Sequence, residues 1–227
     1  MRIAAIDSLA FLRSRSVLPV LLALAQDRDV DVACAALAAL SHFEPDASHS
    51  ALRRALDSGD AALMRAAFAS VAAHRAHYAV PILAAQAREL RDEELRHEAV
   101  LTIGRIGGAA GLRALIDLTA DRTLRETVTA ALGAISDPDV ATLREMMSDP
   151  DERHRRVIVD GLARMKNESV AGVLAMALDD SSPGVRLAAT RALGRIDLRG
   201  ARTQLAAIAR TDENPAIRVA ALDALSR

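Results

Sequence analysis

Apolar residues recur along this chain at i, i+4, i+7, i+8 and i+11, in blocks that themselves recur every 29–32 residues. The clearest block is VRLAATRALGRI, where Val185, Ala189, Ala192, Leu193 and Ile196 fall on one side of a helix. With Val185 as position 1, the same register opens at Met1, Val32, Leu63, Leu95, Leu124, His154, Val185 and Ile217. Position 9 is apolar in every copy: Leu9, Leu40, Val71, Ile103, Leu132, Leu162, Leu193 and Leu225. Position 12, where the chain reaches it, is apolar except at His74. Each copy predicts an amphipathic helix, a B helix, with positions 1, 5, 8, 9 and 12 in the core and positions 3, 6, 7 and 10 outward.

Shorter apolar segments lie between the blocks, at 17–25, 48–56, 79–90, 109–120, 140–147, 169–178 and 201–210. These predict a second set, the A helices. Pro19 and Pro81 sit near the start of an A segment, where a missing N–H costs nothing. Asp137-Pro138, Ser182-Pro183 and Asn214-Pro215 each offer a capping side chain before a proline fit for the first helical position. A two-helix unit of about 31 residues cannot bury both apolar faces alone, so neighbours stack and share a core. The expectation is an all-α fold, an α-solenoid of about seven stacked antiparallel helix pairs, running as one continuous array over residues 1–227.

The stretch from Asp180 to Ile196 joins an acid-and-serine turn and Pro183 to the block above, and it fits the pattern D-x-x-x-x-V-R-x-A-A-x-x-A-L-G-x-I. On it the chain resembles the HEAT repeat family, in the bacterial form known as the phycobilisome-lyase HEAT-like repeat. The resemblance covers essentially the whole chain, more closely from Leu95 onward. It implies a solenoid whose B helices line a concave surface. It also raises an enzymatic alternative, an accessory lyase that attaches a chromophore to phycobiliproteins, although the matching residues are core and caps and carry no chemistry.

Composition narrows the function classes. Net charge is −1, and neither half of the chain carries an excess of basic residues. There is no Trp, and Tyr78 is the only Tyr, so stacking groups for nucleic acid are missing. The basic residues are arginine apart from Lys166, which reads as bacterial GC-rich codon usage. Cys34 stands alone, so no internal disulfide forms and a reducing compartment is expected. The apolar run at 17–25 after Arg13 and Arg15 looks like a secretory leader, but it falls in register with the A segment at 79–87 down to the proline and is too short to span a bilayer. A cytoplasmic protein without membrane contact follows.

Candidate chemistry is sparse. Position 2 holds Arg2, Arg96, Arg125, Arg155, Arg186 and Arg218, either a phosphate-binding ladder or a set of internal ties to turn acids a few residues before them, such as Asp92, Asp121, Asp149, Asp180 and Asp212; balanced charge favours the ties. Leu95-Arg96-His97-Glu98 resembles the His-Glu metal motif of the HEAT-family deoxyhypusine hydroxylases. That di-iron centre needs several such pairs, and the equivalent positions here read Cys34-Ala35, Arg65-Ala66, Glu126-Thr127, Arg156-Val157 and Leu187-Ala188. Glu94 and His97 at i, i+3, and His74-x-x-His77, offer two ligands each, short of a tetrahedral site. Neither a nucleophile–base set nor a phosphate-cradling glycine loop can be assembled.

Binding remains. Outward positions hold Leu37, Ala38, Arg65, Phe68, Ala69, His97, Val100 and Leu101 in the first half, then Glu126, Thr129, Arg156, Asp160, Thr190 and Arg191. The face therefore passes from apolar to polar near the middle, and Phe68 is the expected aromatic anchor. The reading is a scaffold, with no catalytic residue, metal or cofactor, that binds another protein or peptide through Leu37, Arg65, Phe68, His97, Leu101, Arg105 and Arg156. The accessory lyase implied by the resemblance is the first alternative, and a nucleic-acid-binding HEAT-like protein ranks behind it. Apolar Ile3, Ile6, Val219 and Leu222 at outward positions near the two ends raise membership of a longer array or end-to-end self-association.

Overall fold

The computed structural model describes residues 2–12, 14–165, 168–195 and 201–226, and their regular structure is helical throughout. The B helices are α1 (Arg2–Leu12), α3 (Val30–Leu40), α5 (Ala61–Ala73), α7 (Glu93–Ile106), α9 (Arg125–Gly133), α11 (Glu152–Leu162), α13 (Pro183–Leu193) and α15 (Pro215–Leu225). The A helices alternate with them: α2 (Leu18–Leu24), α4 (Pro45–Leu56), α6 (Val80–Glu89), α8 (Gly108–Leu118), α10 (Val140–Met146), α12 (Ala171–Met176) and α14 (Arg202–Thr211). Both sets fall where the hydrophobic period placed them. Met1 and Ile196, which begin and end two of the predicted blocks, lie outside the described residues.

Helix starts follow the capping chemistry with two shifts. Pro19 and Pro81 occupy the first turns of α2 and α6, and Asn214 accepts the Ala216 N–H at 2.9 Å to cap α15. Ser182 holds the N-cap place of α13 without a side-chain bond; the Asp180 carboxylate instead accepts the Ser182 N–H at 2.8 Å. Asp139 rather than Asp137 caps α10, accepting from the Thr142 N–H at 3.0 Å. Each such cap is worth about 1 kcal/mol.

The chain forms two compact units, Met1–Ile106 and Gly107–Arg227. In the first, α1, α3, α5 and α7 lie side by side, with α2, α4 and α6 packed on α3, α5 and α7. In the second, α9, α11, α13 and α15 lie side by side, with α8, α12 and α14 against α9, α13 and α15. This is the packing of an α-solenoid: successive helix pairs share a core, here built on Leu40, Leu52, Leu83 and Ile103 in one unit and Leu112, Leu115, Leu132, Leu162 and Leu193 in the other, all essentially free of solvent. The polar exception of the register, His74, has both ring nitrogens shielded and without a hydrogen-bond partner among the described residues. No helix among the described residues is long and apolar enough to cross a membrane.

Position-2 arginines stitch successive turns. Arg155 donates a fork to Asp180 at 2.7 and 2.8 Å, and its Nη1 reaches the Asp149 carbonyl at 2.7 Å. One repeat later Arg186 donates to Asp212 at 2.9 and 3.2 Å and to the Asp180 carbonyl at 3.0 Å. Each guanidinium thus ties the turn before its own helix, through a backbone carbonyl, to the turn before the next, through a carboxylate. Arg218, Arg125 and Arg96 donate to the carbonyls of Asp212, Thr119 and Ala87, and Arg2 to Asp27 and Asp29. The Arg155 and Asp180 side chains are 10% and 6% exposed and those of Arg186 and Asp212 16% and 5%, so these two rungs are internal and their forks are spent on the fold. Arg186's bonds hold the Asp212 carboxyl below the usual carboxylate range. At Asp180 burial pushes the other way, but the Arg155 fork, the Ser182 amide and the charges of Arg155 and Arg186 outweigh it.

Candidate functional site

An inner B helix has an A helix behind it and a B helix on either flank. At 100° per residue, positions 4 and 8 turn towards the preceding B helix and positions 6 and 10 towards the following one. The seams show this directly. Ser70, at position 8, donates from Oγ to the carbonyl of Leu37 on the preceding B helix at 2.6 Å. Position 10 is small in the first seven copies, as Ala10, Ser41, Ala72, Gly104, Gly133, Ala163 and Gly194. A Cβ built on Gly194 would lie 2.6 Å from the Ala224 Cβ. What stays open is positions 3, 7 and 11, one turn apart.

This geometry corrects two of the predicted binding residues. Leu37 is fully buried and Phe68 is 3% exposed. Both occupy position 6, which the following B helix of the same unit covers, as it does Ile6, Thr129, Val159 and Thr190. Val100, also at position 6, is buried as well. Position 6 counts as outward in a single helix because it lies off the A-helix face; the second flank, which covers it, is supplied only by stacking. Phe68 is therefore a core side chain rather than a partner's anchor.

The other candidates do lie on the open strip. Arg65 at position 3 is already engaged: its Nε donates to the Glu98 carboxylate at 2.9 and 3.0 Å and its Nη2 to Glu94 at 2.9 Å, linking α5 to α7. His97 is half-buried, with Nε2 shielded and unpartnered among the described residues. Leu101 is half-buried and Arg105 exposed. Arg156 pairs with Asp160 one turn along at 3.1 Å. Among the described residues no group of three His, Cys, Asp or Glu side chains is poised around a cation, so neither Glu94 with His97 nor His74 with His77 gains a third ligand. The Cys34 thiol is pushed up by burial first and then by Asp60 and Asp31, which leaves it a poor nucleophile.

Position 11 lies outside the outward set at 3, 6, 7 and 10, and Arg105 is its one member among the predicted binding residues. Phe11 is 89% exposed and borders a cleft of about 360 Å³ between α1 and α3, with Asp7 and His42 on its walls. In the second unit Arg164 and Arg195 at position 11 and Arg191 at position 7 are exposed. Arg164 and Arg195 line a cleft of about 450 Å³ with Arg125, Glu126 and Asp160. Arg195 also lines a larger one of about 630 Å³ between α13 and α15, with Arg191, Val219 and Asp223. The signal for these residues was present in the register; it needed the stacking order to be read.

Several known proteins are similar. The complex of CpcE and CpcF of phycocyanin lyase from Nostoc sp. PCC7120 aligns over 92% of this chain and 86% of that one, at 22% identity and a TM-score of 0.44. Human deoxyhypusine hydroxylase in complex with glycerol aligns over 98% and 89%, at 18% identity and a TM-score of 0.43. A HEAT-like repeats protein from the archaeon Thermococcus onnurineus NA1 aligns over 99% and 91%, at 16% identity and a TM-score of 0.37. No curated protein matches the sequence. The family profile described as HEAT repeats matches residues 1–73 and 140–226, more than half of the chain, and in both segments the matched residues are the stacked helix pairs described above. The chain belongs to the HEAT repeat family.

Proposed function

We propose that this chain is a non-catalytic cytoplasmic scaffold that holds a partner protein or peptide on the open strip of its B helices. The observation that carries the reading is the strip itself. Within each unit, positions 3, 7 and 11 of neighbouring B helices come into line without a role in the core, and they mix apolar with charged groups: Phe11, Leu101 and Arg105 in the first unit, Arg164, Arg191 and Val219 in the second. Partner-binding surfaces combine such apolar contacts with guanidinium groups at their rim.

The test is cross-linking pull-down from host lysate with wild type and a Phe11→Asp/Arg105→Glu variant, both checked by circular dichroism. Both substitutions fall on exposed side chains, so the variant should keep its helicity and lose the proteins that wild type retains. Capture of nothing by wild type would sink the scaffold reading. Equal capture by both would remove the first unit's strip from the contact.

A further inference from the structure

Most arginines of the second unit are engaged. Arg113 pairs with Glu145, Arg153 with Asp151, Arg155 with Asp180, Arg156 with Asp160 and Arg186 with Asp212. The guanidinium groups of Arg164, Arg191 and Arg195 are not: none has a side-chain hydrogen bond or ion pair among the described residues. They are also close to one another, because the two clefts that they line share Arg195 as a common wall. Arg122 and Arg144 also lack a side-chain partner among the described residues, but they line neither cleft.

The surroundings specify what these groups fit. In the cleft between α13 and α15, Arg191 and Arg195 face an apolar wall of Ala216, Val219 and Ala220. Val219 is 58% exposed; as a position-3 residue it belongs to the open strip and not to a seam. Asp223 stands in the same cleft, and Glu126 and Asp160 stand in the adjoining one. Interleaved carboxylates repel an unbroken polyanion such as a nucleic-acid backbone, and no aromatic ring lines either cleft to stack a base. Discrete carboxylates can sit between them, and the planar guanidinium fork matches a carboxylate with two parallel bonds.

Resting on the scaffold reading, we propose that this strip takes an acidic segment of a partner protein, its carboxylates on Arg164, Arg191 and Arg195 and one apolar side chain against Val219. The test is fluorescence anisotropy of the full chain with labelled twelve-residue peptides. One peptide carries Asp and Glu around a central Leu-Leu pair; a second replaces every acid by Asn or Gln; a third probe is a single-stranded oligonucleotide of similar length. The acidic peptide should bind, the amide peptide should bind at least about tenfold more weakly, and added salt should reduce binding. Arg191→Glu/Arg195→Glu should lose at least about tenfold, whereas Arg210→Glu, a charge reversal on α14, should not.

Equal binding of the acidic and amide peptides, an unaffected Arg191→Glu/Arg195→Glu variant, or an oligonucleotide that outcompetes the peptide would each overturn the proposal, the last in favour of a general polyanion site. Lysate pull-down with this second-unit variant separates the two readings. If it retains every protein that wild type retains, the acidic-segment proposal fails while the scaffold survives; if wild type retains nothing, the scaffold fails.

Discussion

Arg155 and Arg156 are neighbours in sequence and opposites in structure. Position 2 directs Arg155 into the seam between turns, where it meets a carboxylate 6% exposed and two backbone carbonyls; position 3 directs Arg156 to solvent, where it and Asp160 are each 43% exposed. Truncating Arg155 strands the buried Asp180 charge, a loss of roughly 3 kcal/mol for a pair of this burial. Truncating Arg156 removes an i,i+4 surface pair worth about 0.5 kcal/mol or less. Chemical denaturation of Arg155→Ala and Arg156→Ala should therefore give a large and a barely measurable fall in midpoint, and similar falls would refute an internal ladder. The arginine period was visible in sequence, as were the turn acids. That each carboxylate belongs to the following turn was not, because repeat sequences do not say which neighbour a side chain reaches.

At the scale of the element, glycine use shows where helices touch. Gly161 sits in α11, where alanine has the better helix propensity by about 1 kcal/mol. A Cβ there would stand 2.6 Å from the Leu132 Cβ on α9, a distance that requires the two helices to separate. Gly172 in α12 meets only the flexible end of Arg144, at 3.2 Å. Gly161→Ala should lower the melting temperature and Gly172→Ala should hold or raise it; the reverse order would mean that α9 and α11 pack less closely than described. The small residues at positions 8 and 10 stood in the sequence throughout. An amphipathic pattern gives them no weight, since a small residue fits a solvent face as well as a tight seam.

At the scale of the whole molecule, acidic ties are distributed unevenly. In the second unit Asp149, Asp180 and Asp212 are all held below their ordinary range. At Asp149 burial opposes ionisation and is outweighed by the Asp151 amide and His154; at Asp180 burial is outweighed by Arg155; at Asp212 the Arg186 bonds dominate. A lowered folded-state value means that the ionised form stabilises the fold. That contribution is complete above about pH 4 and is lost as pH falls through the lowered values. The first unit has Asp27, lowered chiefly by the Asp29 amide, whose partner Arg2 is 60% exposed and adds little. Hydrogen exchange followed by mass spectrometry from about pH 5 to about pH 2.5 should show α11, α13 and α15 losing protection before α3 and α5. Earlier loss in α3 and α5 would contradict this distribution.

The helices, their two alternating kinds, their boundaries to within a few residues and the family were all legible in the chain, because a helix's period and caps are local properties written in consecutive residues. So were the position-2 arginines and the absence of any repeated His-Glu pattern. Which side chains a partner can touch was decided by tertiary structure. One amphipathic helix has a single core face; the same helix inside a stack has three neighbours. The two added flanks bury Leu37 and Phe68, bring Arg65 to Glu94 and Glu98, and leave positions 3, 7 and 11 in the open, where Phe11, Arg105, Arg164, Arg191 and Arg195 stand.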